Sequence, residues 1–171
     1  MTLHAYMCAC VHAFVSVQNV IHFHFVQVVR NPFDVIASLG FMLTPGGDDM
    51  KKSEQEWTIA SVSGFEEAQA NFFDNQQAVL DMLRDPALSK VSNHSVHLAD
   101  LVHSPSQEIK KLCSYLGLTC SPSYVKVCQN TIYREVSMTR SRIQWTPEVK
   151  ESIEQKMKQF PWLHRYDFTS R

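Results

Sequence analysis

Residues 26–39 read VQVVRNPFDVIASL. An apolar, β-branched run stops at Arg30. Asn31-Pro32 follows at once, and then comes an amphipathic stretch carrying Ser38. Residues 21–29, rich in Val, Ile and Phe, have the length and composition of a buried strand. Asn31 is a good helix cap, Pro32 suits the first helical position, and Asp34 complements the positive end of a helix. The stretch therefore predicts a strand over 21–29 followed by a helix over 32–43. In α/β sheets, ligands collect at the carboxyl ends of strands. The N–H groups of a helix start attract anions. A guanidinium placed there adds a planar fork suited to phosphate. Ser38 lies eight residues after Arg30, about two turns along the helix at roughly 3.6 residues per turn, and its hydroxyl is one more donor. Charge-assisted bonds of this kind contribute roughly 1.5–3 kcal/mol each when desolvated. The junction has the parts of a phosphate cradle. The plainer reading is an ordinary strand-to-helix turn, with Arg30 paired to a surface carboxylate and Ser38 facing solvent or a carbonyl. The residues alone leave both open.

The rest of the chain alternates in the same style. Thr44-Pro45-Gly46-Gly47-Asp48-Asp49 predicts a polar loop that breaks the helix. Phe65, Ala68, Phe72, Gln76, Val79 and Leu83 recur at helical spacing, which predicts a long helix near 64–84 ended by Asp85-Pro86. Residues 91–98 read as a short strand. Ser104-Pro105-Ser106-Gln107 reads as a capping box opening a helix that Gly117 closes. Ser121-Pro122 starts a short helix, and Thr146-Pro147-Glu148 starts a last one running to about Gln159. This alternation is that of a layered α/β domain. Trp57, Phe65, Phe72 and Phe73 read as core, and Lys150 to Lys158 as a solvated helix face.

Composition narrows the classes. The chain has 171 residues, 44% hydrophobic and 19% charged, with a formal net charge of −1. That suits a globular domain rather than a disordered one. Nothing global attracts nucleic acid, so any anion site is local. Residues 1–29 hold no Lys, Arg, Asp or Glu. The segment is long enough to span a bilayer, but His4, His12, Gln18, Asn19, His22, His24 and Gln27 interrupt it and no basic region starts it, so no membrane anchor is evident. His22 and His24 alternate with Phe23 and Phe25, which is strand periodicity. A metal site on that pair is the less common reading, and no metal is expected. The five cysteines, Cys8, Cys10, Cys113, Cys120 and Cys128, show no zinc-type spacing. They read mostly as small buried hydrophobes. One bridge among Cys113, Cys120 and Cys128 stays open in an oxidising compartment. Asn93-His94-Ser95 is a glycosylation sequon, meaningful in the secretory pathway.

These residues resemble a known family. Val29-Arg30-Asn31-Pro32-Phe33-Asp34, with Ala37-Ser38, is similar to the 3′-phosphate-binding motif of sulfotransferases that use PAPS (3′-phosphoadenosine 5′-phosphosulfate). Leu98-Ala99-Asp100-Leu101-Val102, then Pro105, then Leu112-Cys113-Ser114-Tyr115-Leu116-Gly117-Leu118, resembles the family's strand–helix segment "YEDL…P…L…FLGL". Leu98 and Ala99 stand in place of its usual tyrosine and glutamate. Val136-Ser137-Met138-Thr139-Arg140-Ser141-Arg142, Trp145-Thr146 and Pro161-Trp162-Leu163-His164-Arg165-Tyr166-Asp167 are similar to the ends of Golgi carbohydrate and tyrosylprotein sulfotransferases. The glycine-rich "RKGxxGDW" segment of the cytosolic branch is not in the sequence. The resemblance runs from about residue 22 to 168.

The resemblance implies a three-layer α/β/α domain with a parallel sheet, related to P-loop proteins. It assigns the nucleotide's 3′-phosphate to Arg30 and Ser38, with Asn31 beside them. It makes Arg140 a candidate phosphate contact on a loop that folds over the nucleotide, against the reading of Arg140 and Arg142 as solvated arginines. It implies PAPS as donor, no metal, and a hydroxyl or amine acceptor on a carbohydrate or a tyrosyl side chain. A Golgi or secretory-lumen location follows by analogy, with the cytoplasm as the other option. One departure stands out. The family's first phosphate-binding loop, of the type "PKSGTT", has no counterpart among Gly40, Gly46, Gly47, Gly64 and Gly117. The expected organisation is thus an atypical segment over 1–20 and a partial sulfotransferase domain over 21–171, N-terminally incomplete. The catalytic base is not identified, because His4 and His12 lack a matching context. Sulfuryl transfer is the first functional expectation, and a catalytically silent nucleotide-binding fragment or pseudoenzyme is the second. A nucleoside-phosphate kinase relative is the third, and the missing loop counts against it equally.

Overall fold

The computed structural model describes residues 10–17, 20–53, 55–88, 91–132, 135 and 138–170, with only the backbone for residues 10–23. In chain order the elements are β1 (Cys10–Val17), β2 (Val20–Val29), α1 (Pro32–Leu43), α2 (Gly47–Lys52), β3 (Trp57–Thr58), α3 (Phe65–Arg84), β4 (Ser92–His97), α4 (Leu98–His103), α5 (Pro105–Tyr115), α6 (Pro122–Thr131), β5 (Ile143–Gln144) and α7 (Pro147–Met157). Short 3-10 turns cover Ile59–Ser61, Pro86–Leu88, Thr139–Arg142 and Pro161–Leu163. The fold is α/β, as the sequence predicts. The chain divides into two compact units: residues 1–29 with 85–136, and residues 30–84 with 137–171.

The first unit is built on a sheet of order β1-β2-β4. β2 and β4 pair in parallel with His24 opposite Ser92 and Val29 opposite His97, while β1 adds an antiparallel partner to β2. The β2–β4 pairing is parallel, as expected, and β1 is an antiparallel addition at its edge. Phe25, Val26 and Val29 on β2 and Val96 on β4 are buried. Tyr115, near the end of α5, donates its hydroxyl to the Ser92 carbonyl at 2.5 Å and lies 3.1 Å from that of Phe25. Ile109, Cys113 and Val125 form a buried cluster, with Leu101, Cys120, Cys128 and Ile132 packed on it. Cys113 and Cys120 are disulfide-bonded and Cys128 is free, which realises one of the bridges left open by the spacing. Two local expectations differ. Ser104 makes no side-chain cap bond, so the capping box is not formed. The strand expected over 91–98 is β4, Ser92–His97, and Leu98 instead opens α4.

The second unit packs α1 on α3. Phe33, Ile36, Ala37 and Phe41 are fully buried, at the i, i+3, i+4, i+8 spacing of one helix face. Each large side chain so buried is worth about 1.5–3 kcal/mol. Phe65, Ala68 and Phe72 bury the matching face of α3. The helices approach closely at Gly64, where an added Cβ would stand 2.5 Å from the Leu43 Cβ and 2.7 Å from the Gly40 carbonyl oxygen. Thr44 locks the same corner, donating to the Gly40 carbonyl at 2.8 Å and accepting from the Gly64 N–H at 3.1 Å. The predicted 44–49 loop is instead a tight turn into α2. Gly46 adopts a left-handed φ of 74°. At Gly47 a Cβ would fall 1.7 Å from the Phe41 carbonyl oxygen, so only glycine lets α2 fold back along α1. β3 pairs in parallel with β5, Trp57 opposite Ile143. Ile153, Met157, Phe160, Leu163 and Tyr166 complete the core.

Candidate functional site

All four predicted site residues, Arg30, Asn31, Ser38 and Arg140, fall in the second unit. Asn31 caps α1 as the sequence predicts. Its Oδ1 accepts from the Phe33 N–H at 3.0 Å, and its main-chain carbonyl accepts from the Asp34 and Val35 N–H groups at 3.1 and 3.2 Å. Pro32 has no N–H to offer. The first-turn donors of α1 are thus satisfied within the chain. The expectation that they greet an anion does not hold, because the cap and the proline have already used or removed them. The other end of Asn31 points to the C-terminal segment, with Nδ2 donating to the carbonyls of Ser170 at 2.8 Å and Asp167 at 3.0 Å. That segment is held by its own turn, in which the Asp167 Oδ1 accepts from the Thr169 and Ser170 N–H groups at 2.7 and 2.6 Å. The Thr169 hydroxyl and the Ser170 N–H bonding to it keep the Asp167 carboxyl below the usual aspartate range.

Asp34, one turn into α1, has no exposed surface. Its Oδ1 accepts from the Arg140 main-chain N–H at 3.0 Å, and its Oδ2 takes a short charge-assisted bond from Arg140 Nη1. Arg140 is only 3% exposed, which sets aside its reading as a solvated surface arginine. Its Nη2 donates to the Ser170 carbonyl at 2.7 Å, and its own carbonyl accepts from the Trp145 indole at 2.8 Å. Phe33 meets Trp145 and Phe168 edge-to-face at 5.3 and 5.2 Å, walling in the ion pair's end of α1. Burial pushes the Asp34 carboxyl up. The bonds from Arg140 and the charge of Arg30 oppose that shift.

Arg30 is half-buried. Its guanidinium is held below the usual arginine range, first by desolvation and further by the like charge of Arg140. Asp34 works the other way. The cluster of Arg30, Asp34 and Arg140 therefore holds two cations and one anion. Asp34 and Arg140 are in direct contact, and Arg30 lies within the field of both. A partly desolvated guanidinium in such a field favours an incoming anion.

Ser38 is half-buried, one further turn along α1 from Asp34 and on the same side. Its Oγ accepts a hydrogen bond from the Lys51 Nζ at 3.0 Å. Lys51 was not singled out by the sequence, which read 44–49 as a loop. It reaches Ser38 because α2 doubles back on α1 at Gly46-Gly47. The acid-first, base-last order of Asp48-Asp49-Met50-Lys51-Lys52 was the readable signal for that helix. Arg142, on the same 3-10 turn as Arg140, is half-buried.

His4 is outside the described residues, as is Cys8, and the side chains of Cys10, His12 and His22 are not described. His24 meets Ser92 at 3.0 Å through Nδ1 and packs edge-on against Tyr115 at 5.2 Å, so it is accounted for inside the first unit. Among the described residues no three of His, Cys, Asp and Glu gather as a metal site would need. No described helix is long and apolar enough to cross a membrane. Phe65, Phe72 and Phe73 are core, as read. Lys150 departs from the solvated face, placing its Nζ 3.8 Å over the Phe168 ring.

No family model and no curated protein matches this chain. Among solved structures it is similar to one described as "Sulfotransferase Domain from the Curacin Biosynthetic Pathway", at 20% identity and a TM-score of 0.37, over 85% of this chain and 49% of that one. The chain spans about half the length of that domain.

Proposed function

We propose that the second unit binds the 3′-phosphate of an adenine nucleotide of the PAPS type. Arg30 and Ser38 make direct contacts, and the domain serves, or descends from one that serves, sulfuryl transfer to a carbohydrate or tyrosyl acceptor. The observation that carries this is the charge arrangement at Arg30: a partly desolvated guanidinium beside a matched, buried Asp34–Arg140 pair. In this reading Asn31 and Arg140 set the site's shape. Asn31 does so by capping α1, and Arg140 by holding the Asp34 carboxylate from the main chain and the guanidinium. The residues present suit a phosphate. When bound, PAPS would supply an activated sulfuryl group, and a secretory-lumen setting fits the Cys113–Cys120 bridge.

Binding without turnover is the second reading, favoured by the placement of the glycines. Gly40 lies inside α1, Gly46 and Gly47 make the α1–α2 turn, Gly64 serves the α1–α3 approach, and Gly117 follows α5. Gly64, between β3 and α3, is taken up by that helix approach, and no glycine lies in the segment that follows β2, β4 or β5, where a phosphosulfate loop of backbone N–H groups would form.

Calorimetric titration with 3′,5′-ADP and with 5′-AMP, on wild type and Arg30→Ala, tests the proposal. Wild type should prefer 3′,5′-ADP and lose that preference in the variant. At about 100 times its Kd, the ligand should stabilise the fold by roughly 2.7 kcal/mol. Equal affinity for the two nucleotides in a folded wild type would refute the 3′-phosphate reading. A transfer assay with PAPS on a binding-competent chain then separates turnover from silent binding.

A further inference from the structure

Lys51 deepens the picture of the same site. The inference rests on the nucleotide reading above. An ammonium has three donors and no acceptor. One donor of Lys51 goes to Ser38 Oγ at 3.0 Å, and among the described residues nothing else takes the other two. The Ser38 hydroxyl accepts from a cation there, so its own proton is directed away from Lys51. Accepting from a charged donor also polarises that O–H and strengthens it as a donor. The pair therefore presents N–H and O–H groups together, which is a donor set for an anion and not for a cation.

The surroundings of Lys51 agree. Both partners are half-buried, so the charge is less screened than at an open surface. Neither the Lys111–Glu108 nor the Arg140–Asp34 ion pair involves Lys51. The α2 main chain on either side of the lysine is pinned. Trp57 donates its indole N–H to the Met50 carbonyl at 3.2 Å, and the Ser53 N–H closes α2 on the carbonyls of Asp49 and Met50 at 3.1 and 3.2 Å. The helix start of α1, the expected source of positive potential, has its donors engaged by Asn31. A side-chain cation is what remains to complement Arg30.

We infer that Lys51 is a phosphate-binding residue of this site, acting beside Ser38 and reading the 3′-phosphate rather than the rest of the nucleotide. A bland alternative is a surface lysine that happens to rest on a serine hydroxyl. The experiment compares wild type, Lys51→Ala, Lys51→Arg and Lys52→Ala by calorimetry with 3′,5′-ADP and with 5′-AMP, with thermal melting to confirm folding. Lys51→Ala should weaken 3′,5′-ADP binding roughly tenfold and leave 5′-AMP binding unchanged. Lys51→Arg should keep most of the affinity, and Lys52→Ala, one residue on and exposed, should match wild type. If wild type prefers 3′,5′-ADP and folded Lys51→Ala binds it equally well, the inference is overturned and the nucleotide reading stands. If both nucleotides weaken equally in Lys51→Ala, the residue is structural and the inference also fails. If wild type shows no preference, the nucleotide reading fails first and takes this inference with it.

Discussion

Replacing Arg140 with methionine keeps most of the side chain's bulk and removes its charge. The partner left behind is Asp34, which has no exposed surface and takes bonds from both the main chain and the guanidinium of Arg140. Breaking one side of a buried pair costs about 3–5 kcal/mol, because the other charge stays buried. For a domain stable by roughly 5–15 kcal/mol this is a large share. With a urea dependence of about 2 kcal/mol/M, the midpoint should fall by about 2 M. The pH dependence gives a sharper check. Burial already raises the Asp34 carboxyl above its unfolded value. A carboxyl raised in this way favours the fold below the unfolded value, and that contribution is lost as pH rises through the folded one. Without Arg140 the bonds opposing the rise are weakened, so the folded value climbs further. The deficit of Arg140→Met relative to wild type should therefore be largest near pH ~7 and shrink toward pH ~5, as Asp34 takes up a proton. Asp34→Leu with Arg140→Met removes both charges and should cost less than Arg140→Met alone. Urea melts at the two pH values decide it. A deficit under about 1 kcal/mol at pH ~7, or one that does not change on acidification, would refute a buried, charged Asp34–Arg140 pair.

Asn31→Ala should lose the α1 cap and the clasp on Asp167 and Ser170, about 2 kcal/mol together, while Asn31→Asp keeps the cap acceptor and should fall between it and wild type in urea melts. Gly47→Ala places a Cβ against the Phe41 carbonyl and should cost about 1–3 kcal/mol. It should also weaken 3′,5′-ADP binding as α2 moves Lys51 off Ser38, which calorimetry reads. Removing the Cys113–Cys120 bridge by double alanine substitution frees a sequence separation of 7 and should cost up to about 2.5 kcal/mol, seen as a lower melting midpoint that reductant no longer changes.

What could be read from sequence followed the range of the forces involved. α1 was legible because its causes are local: Asn31 and Pro32 start it, and Phe33, Ile36, Ala37 and Phe41 mark its buried face. α3 was legible for the same reason. α2 was not, because Gly46-Gly47 reads as a loop until the Phe41 carbonyl is seen to occupy the space of a side chain. α4 has six residues and no side-chain cap, so nothing local separated it from β4. Arg30 and Ser38 are candidates from a motif on one continuous segment, which needs no tertiary contact to be read. The Asp34–Arg140 pair joins positions 106 residues apart, and only folding could show that the candidate Arg140 is bound to an aspartate of the motif itself.

The placement of charge bears on what such a site would do. A phosphate group needs cations and donors at fixed distance, and Arg30, Ser38 and Lys51 are of that kind. Sulfuryl transfer asks for more: positive groups where charge grows on the leaving phosphate, and a base near the acceptor. In the second unit the histidine is His164, which is exposed and bonded to the Lys158 carbonyl at 3.0 Å. Among the described residues no histidine or glutamate bonds to Ser38 or Lys51. Holding the nucleotide and reacting it are thus separable demands, and under the proposal made above Arg30, Ser38 and Lys51 would serve the first. A chain that binds 3′,5′-ADP through Arg30 and transfers no sulfate would be the outcome that this division of charge favours. Measurable transfer would mean that the base and the leaving-group contacts come from residues outside the Arg30–Ser38–Lys51 set.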